Sequence, residues 1–250
     1  MKTLVTIFLG VLLWPGPALA ETPAECRIAE NQIDASFPLL EVTKALAKKR
    51  LDILVVGAGS SILPGANGAA QAYPARLQNA LTEKLPGVTV KVTTDVKAGR
   101  PADVMAVAIK PALAAAKPAL MIWQTGTVDA VRSVDPDIFN TSLSSGIGNA
   151  RAAGADSILM NMQYSPRTES MIALGIYIEN MRWVALQHEA LLFDRFTIMK
   201  LWAELGTFDF YAVTKKLDTA ERVHDCIARL LADLIVEAAK PGGQLPLDIR

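Results

Sequence analysis

The stretch VVGAGSSILPG, residues 55–65, runs from an apolar strand directly into a turn of glycines and serines. Such a turn can cradle a phosphate, present a nucleophilic serine, or form a plain surface loop. Outward from it, LDILVVG (51–57), VTVKVT (88–93), ALMIWQ (119–124), DSILMNMQ (156–163) and ALLFD (190–194) read as strands. Three of these are apolar almost throughout, as parallel strands covered on both faces are. Helical patterns separate them at 72–85, 101–116, 137–152 and 168–187, with two more near 195–205 and 219–239. The βαβα order predicts an α/β fold: a three-layer, doubly wound parallel sheet of about five strands with right-handed crossovers. Ligands of such sheets sit beyond the C-terminal strand ends, where strand order reverses. The segments at that edge are 57–65, 94–100, 124–130 and 163–167.

Residues 1–20, MKTLVTIFLGVLLWPGPALA, have the form of a secretory signal: Lys2, an apolar run from Thr3 to Trp14, and Ala18-Leu19-Ala20 as cleavage site. The run is shorter than the ~20 apolar residues of a bilayer span. The residue directly after the cut is Glu21, not a cysteine that could carry a lipid. The expected mature chain, Glu21 to Arg250, is one domain, exported and periplasmic or secreted, with no stable membrane insertion after cleavage. Lysine plus arginine equals aspartate plus glutamate at 25 each, and no basic stripe suggests nucleic acid. The two cysteines, Cys26 and Cys226, lie near opposite ends of that chain. Export favours a bridge between them; two buried free thiols are the alternative. Two isolated histidines and two distant cysteines make no metal-ligand pattern, and no cofactor is expected.

The phosphate reading of the turn is tested first. Gly57-Ala58-Gly59 after a strand, with Asp95 after the next, invites the dinucleotide fingerprint. The third glycine position holds Ile62, however, and Pro64 interrupts the helix whose N-terminus would hold the pyrophosphate. An exported protein also meets little free NAD.

The serine reading gains support along the chain. GSSIL (59–63) resembles the Gly-Asp-Ser-Ile/Leu turn of SGNH/GDSL hydrolases, with Ser60 in place of the aspartate. AYPARL (72–77), PALMIWQTGTVDA (118–130), MQYSPR after the fourth strand and LLFDRF around the fifth are similar to further blocks of that family. The resemblance implies a flavodoxin-like, three-layer hydrolase fold, with Ser61 at the nucleophile position attacking an ester of a small molecule, glycan or lipid. Such a serine needs a base, a group that orients the base, and donors for the oxyanion.

The resemblance assigns the oxyanion donors to the Ser61 N–H, a glycine after the second strand (Gly99 here) and an asparagine in Gly-x-Asn-Asp. That last motif reads Gly126-Thr127-Val128-Asp129, and Val128 has no donor. Loss of one such donor typically costs about 10²–10³ in kcat. Thr127 or Gln124 could compensate if either points inward.

The base has two candidates. His188 lies at the wrong edge of the sheet. His224 lies in KKLDTAERVHDCIARLLADLIVEAA, where Asp218 and Glu221 read as cap and capping-box partner of a helix starting near 219. Val223, Ile227, Leu230, Leu231 and Leu234 form its apolar stripe. The family's Asp-x-x-His precedes this helix. One register places it on Lys215 and Asp218, so that both catalytic side chains are gone. The other uses Glu221-x-x-His224, roughly 9 Å into the helix, whereas a base must come within about 3 Å of the serine hydroxyl.

Two functions from different classes follow. The first is an exported serine ester hydrolase with Ser61 as nucleophile, His224 as base, Glu221 as orienting group, and the Ser61 and Gly99 N–H groups as oxyanion donors. The second is a catalytically inactive SGNH-fold binding or accessory protein, its chemistry lost through Val128, Lys215 and Asp218. Elsewhere, AKKR (47–50) reads as a helix end, Met105, Met160 and Met162 as core, and 206–216 as either a cleft border or a surface loop. The sequence names no protein partner.

Overall fold

The computed structural model describes residues 22–28, 35–212 and 217–240. The expected signal peptide and Lys215 lie outside these. Five strands, β1 (Arg50–Gly57), β2 (Thr89–Val96), β3 (Leu120–Gln124), β4 (Asp156–Met160) and β5 (Leu191–Phe193), form one sheet in the order β2-β1-β3-β4-β5. Every pairing is parallel. The helices are α1 (Leu40–Ala47), α2 (Gly68–Gln71), α3 (Tyr73–Lys84), α4 (Ala102–Ala116), α5 (Thr127–Val131), α6 (Pro136–Ala152), α7 (Pro166–Met171), α8 (Gly175–Gln187), α9 (Arg195–Glu204) and α10 (Asp218–Ala238). This is the doubly wound α/β fold expected from the pattern of runs.

The three layers follow from strand periodicity, because successive side chains point to opposite faces. Leu51, Ile53 and Val55 of β1, with Leu120 and Ile122 of β3, pack on one side against Tyr73, Leu77 and Leu81 of α3, Trp202 of α9 and the stripe of α10. Leu54, Val56, Met121 and Trp123 pack on the other against Met105 and Ile109 of α4, Phe139 and Leu143 of α6, and Met181 of α8. The five predicted stripe residues of α10 are all buried, as are Met105, Met160 and Met162. Gly146 lets α6 approach the sheet closely: a Cβ there would lie 2.2 Å from the Trp123 ring.

Four local expectations are corrected. The helix expected over 168–187 is two, because Ile172 is extended (φ −133°, ψ 134°), which turns it and Leu174 into the core under α8. β4 stops at Met160 rather than 163, because the Asn161 side chain leaves the sheet to bond Asp194 and the Phe196 N–H. AKKR does not lie wholly in a helix end: α1 stops at Ala47, Lys49 takes φ 56°, and Arg50 opens β1 paired with Asp52. Asp218 is the first residue of α10 rather than its cap; Leu217 holds the cap position, without a side-chain capping bond.

Cys26 and Cys226 form a disulfide across a sequence separation of 200, tying the turn at Ala24–Cys26 to α10. Closing so long a loop is worth about 5 kcal/mol on the chain-entropy account. Full reduction, or Cys226→Ser, is therefore expected to lower the melting temperature by about 10–20 °C. A melt unchanged in protein shown by thiol titration to be reduced would contradict this.

Candidate functional site

Strand order reverses between β2-β1 and β1-β3, so the crevice of the fold opens where β1 and β3 end. The serine turn sits there. Gly57 closes β1, and Gly59–Ser61 forms a single 3₁₀ turn that carries Ser61 inward, 2% exposed. Gly57 has to be small, because a Cβ on it would meet Ser61 Oγ at 2.3 Å. The loop after β2 packs alongside: the Lys97 N–H donates to the Gly57 carbonyl, and Arg100 reaches both that carbonyl and Asp95. Ala98 of this loop lies against Gly59, 3.6 Å from where a Cβ on that glycine would stand, and Gly99 follows it with φ +75°.

The hydroxyl of Ser61 donates to Gln124 Oε1 at 2.8 Å, and the same oxygen accepts the Ala58 N–H at 3.2 Å. Gln124 does point inward, but as an acceptor holding the serine proton; its Nε2 is buried without a partner. The second neighbour of Ser61 Oγ is the phenol of Tyr73, at 3.2 Å. Burial pushes the Tyr73 pKa above its usual value, so it is a neutral phenol. Neither an amide oxygen nor a neutral phenol is basic enough to take the serine proton at neutral pH.

The predicted Ser61–His224 pair is not formed. His224 is buried on α10, and its Nδ1 accepts the backbone N–H of Tyr73 at 2.9 Å. Serine and histidine therefore engage opposite ends of one tyrosine, the phenol and the backbone amide. Tyr73 is the first residue of α3, whose N-cap position is Ala72 with no capping side chain. His224 thus satisfies one of the orphan donors at that helix start.

This bond also fixes the tautomer. An Nδ1 that accepts leaves the proton on Nε2, whereas a general base oriented by a carboxylate carries it on Nδ1. Burial, then the positive charges of Arg195 and Arg76, push the His224 pKa down to about 3. The expected Glu221–His224 orienting bond is likewise replaced, since Nδ1 is held by the Tyr73 amide.

The oxyanion expectation changes too. The Ser61 N–H donates to the Ala58 carbonyl at 3.0 Å, closing the turn rather than facing the cleft. Val128 is half-buried on α5. Asp129 is fully buried and caps α4 through the Ala102 N–H at 2.8 Å, a role its motif does not announce. Thr127 Oγ1 is buried without a partner.

Arg195 is the residue whose role the sequence did not disclose, although LLFDRF contains it. Its guanidinium is 1% exposed and donates to the carbonyl and hydroxyl oxygens of Ser60. Burial lowers its pKa to about 10, so it stays charged at neutral pH. Its only advance signal is an arginine at the start of a helix, where a positive charge opposes the helix dipole. His188 lies at the opposite edge, lining a cavity of about 410 Å³ with Phe37, Arg151 and Asp156.

Because His224 is neutral when folded and titrates near 6.5 unfolded, protonation acts against folding. The unfolded chain binds the proton first, so stability is full above pH 6.5 and is lost as pH falls from there toward 3. Against His224→Gln, which keeps an acceptor for Tyr73, the wild type is expected to lose about 2 kcal/mol of unfolding free energy between pH 7 and pH 5. Parallel denaturation profiles would contradict it.

Comparison with known proteins gives this geometry a family. Residues 25–241 match the model of the Non-GDSL lipase-like family. Among solved structures, TesA is similar at 22% identity and TM-score 0.57, covering 73% of this chain and 99% of TesA. A catalytic mutant of Axe2, an acetylxylan esterase from Geobacillus stearothermophilus, is similar at 16% identity and TM-score 0.60, covering 74% and 94%. The psychrotrophic esterase EstA from Pseudoalteromonas sp. is similar at 16% identity and TM-score 0.56, covering 74% and 96%. A search of curated protein sequences finds no match. At these identities the structural likeness establishes the fold, and the family match across most of its length makes this chain a member of the Non-GDSL lipase-like family.

Proposed function

We propose that this chain is an exported, periplasmic or secreted SGNH-fold protein that has kept the hydrolase scaffold and lost its acyl-transfer chemistry. It would act as a binding or accessory protein for a small molecule, a glycan or lipid ester, or a macromolecular partner. One observation carries the reading. Ser61 Oγ gives its proton to Gln124, while His224 is locked to the Tyr73 amide with Nδ1 as the acceptor.

Acyl transfer would require the serine proton to leave as the Oγ–carbonyl bond forms, and the resulting oxyanion to find donors. The two neighbours of Ser61 Oγ take no proton at neutral pH, and the Ser61 N–H is occupied within its own turn. Export is supported by the signal-like first twenty residues and agrees with a disulfide, which persists in oxidising compartments.

A working esterase is the second reading. Its support is Ser61 itself, retained on a tight turn at the crevice of the fold, and the esterases among the structural neighbours. Labelling with a fluorophosphonate probe separates the two, because the probe reacts appreciably only with a serine activated by a base. The folded wild type is expected to label no more than Ser61→Ala. Labelling that disappears in Ser61→Ala would overturn the proposal and establish a working nucleophile.

A further inference from the structure

Apart from the serine turn, a second surface carries its own chemistry. Between Asp137 and Arg151, α6 reads IFNTSLSSGIGNA, thirteen residues without a charge. Its solvent side shows Thr141, Ser145 and Gly148, with Ser144 half-buried. Serine, threonine and glycine are weak helix formers, and a helix face that merely meets water is better served by Glu, Lys, Gln or Ala. The neighbouring α8 adds Asn180, Trp183 and Gln187 at helical spacing, with the Trp183 side chain 62% exposed.

Between the two helices lies an open groove of about 640 Å³, lined by Asn140, Thr141, Ser144, Asn180, Trp183 and Gln187, with Val184 beneath. None of these side chains is charged. Three are amides, each offering two donors and an acceptor, and two are hydroxyls that donate and accept. Asn140 lines the groove with its Oδ1 buried and without a hydrogen-bond partner, so no neighbour holds that amide oxygen.

This set discriminates among ligand classes. An anion would need a cation, and the lining holds none. Ile176 and Leu186 are also exposed along α8, as a protein contact would use, but the groove lining itself offers one exposed indole among amides and hydroxyls, with Val184 3% exposed beneath. A neutral sugar chain fits both halves of the surface. Its rings have an apolar C–H face that can lie on an indole, and a rim of hydroxyls that each donate and accept.

We propose that the α6–α8 groove binds a neutral oligosaccharide, with Trp183 as the stacking platform and Asn140, Asn180 and Gln187 holding the sugar hydroxyls. No residue of the serine turn lines it, so the site stands whether or not Ser61 hydrolyses esters.

The test is calorimetric titration of the purified protein with xylohexaose, cellohexaose, chitohexaose and maltohexaose, followed in parallel by tryptophan fluorescence. At least one is expected to bind with micromolar to millimolar affinity and to perturb the emission. Trp183→Ala, confirmed as folded by its melt, is expected to weaken binding by about tenfold or more. Asn180→Ala should weaken it in the same direction. Leu205→Ala, at an exposed apolar position elsewhere, should leave it unchanged. Failure of all four sugars at millimolar concentration would overturn the proposal, as would binding that Trp183→Ala leaves intact. A self-association that Trp183→Ala abolishes, without sugar binding, would assign the surface to a second protein instead.

Discussion

The hydrogen bond from the Tyr73 amide to His224 Nδ1 is the contact on which the cleft depends. It joins the start of α3 to the second turn of α10, two helices that pack side by side, and the Cys26–Cys226 bridge ties α10 down two residues further on. Once Tyr73 is held at its backbone, its buried side chain delivers the phenol to Ser61, and Ser61 in turn faces Gln124 across the β1–β3 crevice. A charged imidazole would break this arrangement twice: it would remove the acceptor from the helix start, and it would place a cation where the helix dipole is itself positive. The histidine therefore serves as a neutral structural acceptor. The same assignment makes it unfit to receive a serine proton.

Among the described residues, His224 is one of three distant residues that cap a helix whose own N-cap position supplies no capping bond. Leu39, Ala72 and Pro101 occupy the cap positions of α1, α3 and α4, and none supplies a capping bond. Asp156 of β4 accepts the Val42 N–H of α1, His224 accepts the Tyr73 N–H of α3, and Asp129 accepts the Ala102 N–H of α4. Burial raises the pKa of both aspartates and lowers that of the histidine, so each is held by its bonds against an unfavourable setting. In α6 and α9, by contrast, Asp135 and Asp194 cap from their own N-cap positions. Local caps are visible in a sequence. Caps supplied across 27 to 151 residues are not.

This distinction explains how much was legible. The strands, the burial of β1, β3 and β4 on two faces and the crevice position of residues 57–65 follow from apolar runs and βα order, and the structure has each of them. The family resemblance assigned roles to Ser61, Gly99 and Val128 because it rests on short contiguous motifs. It could not say which way a side chain faces. Gln124 turned out to hold the serine proton, Asp129 to cap a neighbouring helix, and Arg195 to brace Ser60. What His224 touches could not be read from either register of the last helix. Its sequence spacing from Glu221 suits a catalytic pair, but the nearest donor to its Nδ1 comes from a helix start 151 residues away.

The central claim is that His224 is a neutral acceptor with its proton on Nε2. Nitrogen-15 chemical shifts of the imidazole, followed from pH 8 to pH 5 in the folded protein, test it directly. The account predicts an unprotonated Nδ1, a protonated Nε2 and no titration across that range, since the pKa lies near 3. A proton on Nδ1 near neutral pH, or a midpoint close to the ordinary value of about 6.5, would contradict it and return His224 to the role of a base.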